Sequence, residues 1–212
     1  YPVGVKCDRV AERQPRPAPK PAPPLEELPA LLRLPKTDPV STTPRQEAVD
    51  YRIKIAGFGG QGVLLLGQLL AEAGMDDGLE VTWLPSYGPE MRSGTSNCHV
   101  RLSSTPVDSP LITKPNVLVA LNEPSLRKFL PSLEPHALVV YNGETLPEDC
   151  RRDDVQYVPR PFARIADQLG AAKAANIVVL GVLMALTGAL PDARIDGALQ
   201  RLVKTDKWLE LD

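Results

Sequence analysis

The sequence is poor in the residues that build metal centres and disulfide scaffolds. It has three cysteines in 212 residues, Cys7, Cys98 and Cys150, and none forms a Cys-x-x-Cys pair. Zinc sites and iron–sulfur clusters usually draw on such closely spaced thiols. An odd number of distant cysteines also argues against a disulfide framework and favours a reducing compartment. We therefore expect a cytoplasmic protein that holds no metal of its own.

An excess of charge of one sign is missing as well. Lysine and arginine number 24 and aspartate and glutamate 26, so the net charge is -2. Domains that bind polyanions are usually basic, and we expect neither nucleic acid nor an anionic membrane as partner. The longest apolar run, residues 174–190, includes Asn176 and Thr187. It is shorter than a transmembrane helix, which needs about 20 apolar residues. It predicts a core helix, the most buried one of the fold.

Proline, in contrast, is abundant and concentrated near the start. About half of the 23 prolines precede residue 51, and residues 15–24 alternate proline with alanine, arginine and lysine. Proline lacks the N–H that helices and sheets use, so this stretch predicts an extended polyproline II spacer. Residues 25–34 carry several leucines and are interpreted as linker, with a short docking helix as the alternative. We predict a proline-rich tail over residues 1–50 and one folded domain over 51–212.

The folded part opens on a strand, a glycine turn and a helix. Isoleucine-rich residues 52–56 predict a buried strand, and an apolar run over 63–71 predicts a helix that ends near Gly74. Between them, Gly57, Gly59 and Gly62 have the G-x-G-x-x-G spacing in the strand–turn–helix context that gives this spacing meaning.

The turn has the chemistry of an anion site. Glycine adopts a positive φ without steric cost, and Gly59→Ala should destabilise the domain if Gly59 has a positive φ. A helix that follows presents unpaired N–H groups and the positive end of its dipole to a phosphate or carboxylate. The candidate contacts are Gly57, Gly59, Gly60, Gln61 and Gly62. A tight turn that binds nothing is the alternative, and the stretch by itself leaves both open.

The rest of the pattern predicts an α/β fold with a Rossmann-like βαβ start, which implies parallel strands and a right-handed crossover. Further strands are predicted at 79–84, 96–102, 117–121, 137–141 and 155–158, and helices at 162–169, 171–188 and 192–202. Between the second and third strands lies a loop broken by two prolines and two glycines.

That loop holds polar side chains at the edge where open α/β sheets bind ligands, beyond the carboxyl end of a strand. Ser86, Tyr87, Glu90 and Arg92 are its candidate ligand contacts, and Arg92 offers five donors suited to a phosphate or carboxylate. A solvated loop without function is the alternative.

Other chemistry finds little support. A dinucleotide domain needs an acid at the end of its second strand, and here that strand ends in Leu84 and Pro85. His99 and His136 have no obvious acid partner and are interpreted as structural. No serine elbow, P-loop lysine or metal-ligand spacing occurs, so we name no catalytic residue.

Four segments resemble the gamma subunit of 2-oxoacid:ferredoxin oxidoreductases, the third domain of multidomain pyruvate:ferredoxin oxidoreductase. They read GFGGQGVLLLGQLLAEAG, VTWLPSYGPEMRSGTSNCHVRLS, VLVALNEPSLRKF and AANIVVLGVLMALTGAL. The likeness covers residues 51–212, and SYGPEMRSG is its most specific part. Ser93 departs from the family, whose members often carry glycine at this position. The local backbone geometry of the family is therefore not implied at Ser93.

The resemblance implies a three-layer α/β/α sandwich that is not a catalyst alone. Family enzymes cleave a 2-oxoacid on thiamine diphosphate with magnesium, pass electrons through iron–sulfur clusters to ferredoxin or another acceptor, and transfer the acyl group to coenzyme A. These cofactors belong to alpha, beta and iron–sulfur partner subunits, and the gamma domain is associated with the coenzyme A side.

The first five residues, YPVGV, resemble the end of a thiamine-binding beta subunit. The chain is therefore interpreted as part of a beta–gamma fusion with the proline-rich stretch as tether. A purely structural interaction domain and a Rossmann-type nucleotide-binding oxidoreductase are the alternatives. The identity of the 2-oxoacid is left open, because its pocket belongs to other subunits.

Overall fold

The computed structural model describes residues 48–86, 95–171 and 174–203. The predicted tail up to residue 47 lies outside these ranges, as do Tyr87, Glu90 and Arg92 of the polar loop.

A six-stranded sheet forms the centre of the described part, in the order β2-β3-β1-β4-β5-β6. The strands are β1 (Asp50–Phe58), β2 (Glu80–Ser86), β3 (Thr95–Ser103), β4 (Val117–Ala120), β5 (Leu138–Asn142) and β6 (Gln156–Arg160). The helices are α1 (Val63–Asp76), α2 (Glu123–Phe129), α3 (Phe162–Gln168), α4 (Ala175–Thr187) and α5 (Asp192–Val203). The predicted α/β class is confirmed.

The strand pairing is mixed. Strands β1, β4, β5 and β6 are parallel, whereas β3 is antiparallel to both β1 and β2. Strands β1 and β2 therefore run in the same direction, as the βαβ pattern predicts, but they are not neighbours because β3 lies between them.

Two helical layers cover opposite faces of the sheet. Ile55 is paired with Cys98 on one side and Val119 on the other, so these side chains share a face. Helix α1 lies on that face so closely that a Cβ on Gly67 would be 2.6 Å from the Cys98 sulfur. The other face carries Leu118 and its neighbours, which pack with α2 in one buried cluster with Ala56, Ala120, Leu126, Phe129 and Val139. The arrangement is the α/β/α sandwich.

Two helix predictions are wrong in detail. Helix α1 continues through Gly74 to Asp76, and Gly78 has the positive φ of 77°. Gly74 is buried within the helix because Val81 and Leu102 occupy the space that its side chain would need. Nor is α4 the most buried helix, since six of its 13 residues are buried against eight of 14 in α1. Within the described ranges, no helix is long and apolar enough to cross a membrane.

A lysine–histidine pair lies on the α2 face of the sheet. His99 is buried, and its Nδ1 accepts the Ile112 N–H at 2.9 Å. A neutral ring then carries its proton on Nε2, which lies 2.7 Å from Lys54 Nζ. The pKa of Lys54 is lowered, first by burial and then by the charge of Lys128.

The histidine is held neutral by the same surroundings. Burial, and then the Lys54 charge, lower the pKa of His99 to about 4. The unfolded chain binds a proton there near pH 6.5, so between about pH 6.5 and 4 it binds more protons than the folded chain. Stability therefore rises with pH across this window and falls as pH drops through it. His99 is thus a buried and hydrogen-bonded side chain of the fold.

We expect His99→Gln to weaken this dependence. Urea unfolding from pH 7 to pH 4 should show a flatter free-energy curve, by at most about 1.4 kcal/mol per pH unit for one proton. His136→Asn is the matched control, because that imidazole is exposed and its backbone, with φ 64°, suits asparagine. A wild-type slope in His99→Gln would contradict the assignment.

Candidate functional site

The candidate site lies at the sheet edge where β1, β4, β5 and β6 end. The turn after β1 leads to α1 on one face, and the turn after β4 leads to α2 on the other. Adjacent strands whose connections diverge in this way form the crevice where open α/β sheets bind ligands. Ser86, the last residue of β2, lies at the same edge and is exposed. Asn97 of β3 pairs with Ser86 on one side and with Ala56 of β1 on the other, so Ser86 is separated from β1 by one strand.

The glycine turn takes its shape from two left-handed residues. Gly60 has φ 84° and Gly62 has φ 74°, and Gly62 is the N-cap residue of α1. Gly59 is not among the glycines with a positive φ, so the condition attached to Gly59→Ala is not met. The chain reverses direction between Phe58 and Gln61, and the Gln61 N–H donates to the Phe58 carbonyl at 3.3 Å. A left-handed conformation is needed at the apex and at the helix start.

Gly57 serves a different purpose, which is close packing. A Cβ built on it would lie 2.8 Å from Gln61 Oε1, 2.9 Å from a Val63 methyl and 3.0 Å from Leu121 Cβ. No side chain fits between the end of β1, the start of α1 and the end of β4.

Gln61 ties this edge together through its side chain. Its Oε1 accepts the Phe58 N–H at 2.7 Å and the Asn122 amide at 3.0 Å, and its Nε2 donates to the Leu121 carbonyl at 3.2 Å. Asn142 donates to the same carbonyl at 3.2 Å. We call Gln61, Asn122 and Asn142 the amide cluster. Gln61 was predicted to contact a ligand, but its amide holds strand ends together.

The start of α1 has no capping side chain among the described residues. No acidic residue lies in its first turn, and the Gly62 carbonyl accepts from Leu66. Phe58, 41% exposed, stands beside it in the turn. Among the described residues, this helix start has no side-chain cap and no acidic residue in its first turn, and such a start favours an anion.

Other chemistry is sparse among residues 48–86, 95–171 and 174–203. No group of three His, Cys, Asp or Glu side chains there is arranged to hold a metal ion. Burial raises the pKa of the Cys98 thiol to about 12, so it stays protonated and is a poor nucleophile. Its sulfur lies 3.5 Å from the Val63 carbonyl beneath α1.

The structure thus brings the predicted residues Gly57, Gly59, Gly60, Gln61 and Gly62 together at one edge with Ser86. It adds three asparagines that the sequence pattern did not single out as site residues, Asn122, Asn142 and Asn176. Asparagine directly after a buried strand is the signal for the first two. A polar residue at the start of an otherwise apolar run is the signal for Asn176.

The fold and this edge define an open α/β domain with a glycine turn at the point where its connections diverge. The model of the family described as pyruvate ferredoxin/flavodoxin oxidoreductase matches residues 52–211, and the chain belongs to that family.

Known proteins of this kind are similar over most of the domain. The chain is 43% identical over 137 residues to the ketoisovalerate oxidoreductase subunit VorA of Methanothermobacter marburgensis, covering 65% of this chain and 28% of the relative. A second similar protein is the keto/oxoacid ferredoxin oxidoreductase gamma subunit of Geobacter sulfurreducens, known from a crystal structure. Its sequence is 28% identical to this chain, and the two structures superpose with a TM-score of 0.61. The match covers 75% of this chain and 90% of that subunit. The chain thus spans under a third of the curated relative's length but nearly the whole gamma subunit.

A third similar protein is the 2-oxoglutarate:ferredoxin oxidoreductase of Magnetococcus marinus, solved with 2-oxoglutarate, coenzyme A and succinyl-CoA bound. Its identity to this chain is 26% and the TM-score is 0.65, over 72% of this chain and 27% of that one. The resemblance seen in the sequence is confirmed at the level of the family and the fold.

The packing around Gly57 leads to a stability prediction. Gly57→Ala should destabilise the protein by about 1–3 kcal/mol, because the added methyl would overlap Gln61, Val63 and Leu121, and the amide cluster holds Gln61 and Leu121 in place. Urea denaturation of the full chain measures the change.

Gly181→Ala is the matched control for that measurement. It lies within α4, and an added Cβ there meets nothing within 4 Å. Alanine should therefore be neutral or stabilise by up to about 1 kcal/mol through helix propensity. Equal effects of the two substitutions would disprove the packing argument.

Proposed function

We propose that this chain is the gamma component of a multisubunit 2-oxoacid:ferredoxin oxidoreductase, which oxidatively decarboxylates a 2-oxoacid to an acyl-CoA. Membership of the family across residues 52–211 is the observation that carries the proposal. The relatives named above act on ketoisovalerate and 2-oxoglutarate, so the same domain serves more than one 2-oxoacid. The choice of substrate then belongs to partner subunits.

Within this proposal the chain is not catalytic alone. Thiamine diphosphate, magnesium and iron–sulfur clusters are held by alpha, beta and iron–sulfur subunits, and ferredoxin or another acceptor receives the electrons through them. The complex works in the cytoplasm. Residues 1–50 act as a tether that joins the domain to a beta-subunit part of the same polypeptide.

The contribution of this chain is the coenzyme A side of the active site. The start of α1 has no side-chain cap and no acidic residue in its first turn, which suits the phosphates of coenzyme A. Ser86 is exposed at the same edge of the sheet, and Tyr87, Glu90 and Arg92, which follow it in sequence, are proposed as further contacts. Gln61 acts indirectly, by fixing the turn.

A purely structural role is the second candidate, and one observation favours it. The amide cluster is satisfied within the chain, so the edge is held without any ligand. A nucleotide-dependent oxidoreductase is disfavoured, because β2 ends in Leu84, Pro85 and Ser86 and offers no acid for ribose hydroxyls.

The purified chain should not reduce a viologen dye when supplied with a 2-oxoacid and coenzyme A. Co-expression with its alpha, beta and iron–sulfur partners should give an active complex, which mass spectrometry of the co-purified subunits would identify. Dye reduction by the chain alone would contradict the proposal.

Arg92→Ala tests the coenzyme A role in the assembled enzyme. Loss of a charge-assisted hydrogen bond, about 1.5–3 kcal/mol, should raise the apparent KM for coenzyme A roughly ten- to hundredfold while the melting temperature stays the same. Arg151→Ala removes an exposed guanidinium elsewhere and should leave that KM unchanged. A wild-type KM together with weaker assembly would instead support the structural role.

A further inference from the structure

Asn176 is a buried polar residue with an unused donor. It occupies the second position of α4 and is 6% exposed. Its Oδ1 accepts the Ile177 N–H at 3.1 Å, which identifies the other amide atom as the donor nitrogen. Among the described residues, Nδ2 has no hydrogen-bond acceptor. Nδ2 is not one of the fully buried side-chain atoms that lack a partner in the described ranges, so it can be reached from outside the fold and can donate to a ligand.

The unused donor lies beside the start of α1. A Cβ built on Gly62 would be 2.4 Å from Asn176 Nδ2, so the amide occupies the space where the side chain of the N-cap residue would begin. Most N-cap residues supply an oxygen that accepts from the first-turn N–H groups. Gly62 supplies none, and Asn176 adds a further donor instead.

Two helix starts meet at this point. Helices α1 and α4 both begin without a side-chain cap and without an acidic residue in the first turn. Contact between Gly62 and Asn176 brings these first turns together, so the positive ends of two helix dipoles reinforce each other. The described groups at this point are donors and partial positive charges, with no acid to oppose them.

We propose that Asn176 and the first turn of α1 form a subsite for a phosphate group. A phosphate offers several acceptor oxygens and no obligatory donor, which matches a cluster of backbone N–H groups completed by one amide NH2. A glycine is required at position 62 because any side chain would displace the Asn176 amide. As the binding place for a phosphate of coenzyme A, the subsite rests on the proposed function.

Thermal unfolding of the full chain tests the subsite directly. Inorganic phosphate and pyrophosphate, titrated against sodium chloride at matched ionic strength, should raise the melting temperature of the wild type in a saturable way. Asn176→Asp should raise the melting temperature without any ligand, because a carboxylate between two helix starts replaces the anion. The same variant should lose the response to phosphate, since the two negative charges repel each other.

Gln156→Glu is the matched control for Asn176→Asp. It adds the same charge at an exposed position at the start of β6, at the opposite end of that strand from the site edge, and should keep the phosphate response. Asn176→Ala serves as a second variant, which removes the donor without adding charge. Its apparent affinity for pyrophosphate, followed by phosphorus NMR, should fall roughly tenfold or more.

The subsite is disproved if the wild type shows no saturable response to either anion. It is also disproved if both Asn176 variants respond as the wild type does. A purely structural Asn176 predicts that Asn176→Asp lowers the melting temperature and keeps the response.

A separate measurement distinguishes this result from failure of the proposed function. Coenzyme A should stabilise the chain and pantetheine, which lacks the phosphates, should not. In the assembled enzyme, Asn176→Ala should raise the KM for coenzyme A. The variants could abolish the phosphate response and leave the KM for coenzyme A unchanged. That result would support the phosphate subsite and overturn its assignment to coenzyme A.

Discussion

The architecture of the site edge depends on one requirement: the backbone groups where parallel strands end must find partners. The ladder between β1 and β4 ends at Ala56 and Ala120, and the groups beyond it lie close to the protein interior. Gln61 meets this requirement from within the turn, with one side chain that accepts from Phe58 and Asn122 and donates to Leu121. Because a single amide spans both strand ends, the turn cannot change shape without breaking several hydrogen bonds. The direction in which α1 leaves the sheet is fixed by the same bonds.

The way the chain is held at this edge determines whether the start of α1 or the start of α2 is available to a ligand. Asn122 is the N-cap residue of helix α2. Its Oδ1 accepts the Ser125 N–H at 2.9 Å, and Glu123 lies in the first turn of the helix. Its positive end is thus already capped and partly neutralised. Helix α1 begins at Gly62 with neither feature. The asymmetry arises from sequence, since a glycine cannot cap and an asparagine can, and it concentrates donor groups on the α1 side of the crevice.

Local patterns predicted most of the fold and part of the site. Strands and helices follow from apolar periodicity, and the glycine turn follows from its spacing and position between a strand and a helix. The insertion of β3 between β1 and β2 did not follow, because pairing partners are set by contacts distant in sequence. The burial of α4 was overestimated since hydropathy measures how apolar a helix is and not how many neighbours it has. For the same reason Gly74 was predicted as a cap, although it is a packing position against Val81 and Leu102.

In the proposed complex, this domain can contribute to catalysis through binding energy far from the reacting bond. Interactions with the remote part of a substrate can offset the entropy cost of placing its reactive end, provided that the remote site is rigid. The edge described here has that property. Its turn is locked by Gln61, its glycine Gly57 admits no side chain, and its donors belong to backbone and buried amide groups. In the proposed complex, such an edge would fix the phosphates of coenzyme A while the thiol reaches a partner subunit. In that complex, the domain supplies a rigid binding edge, and the partner subunits supply the catalytic groups.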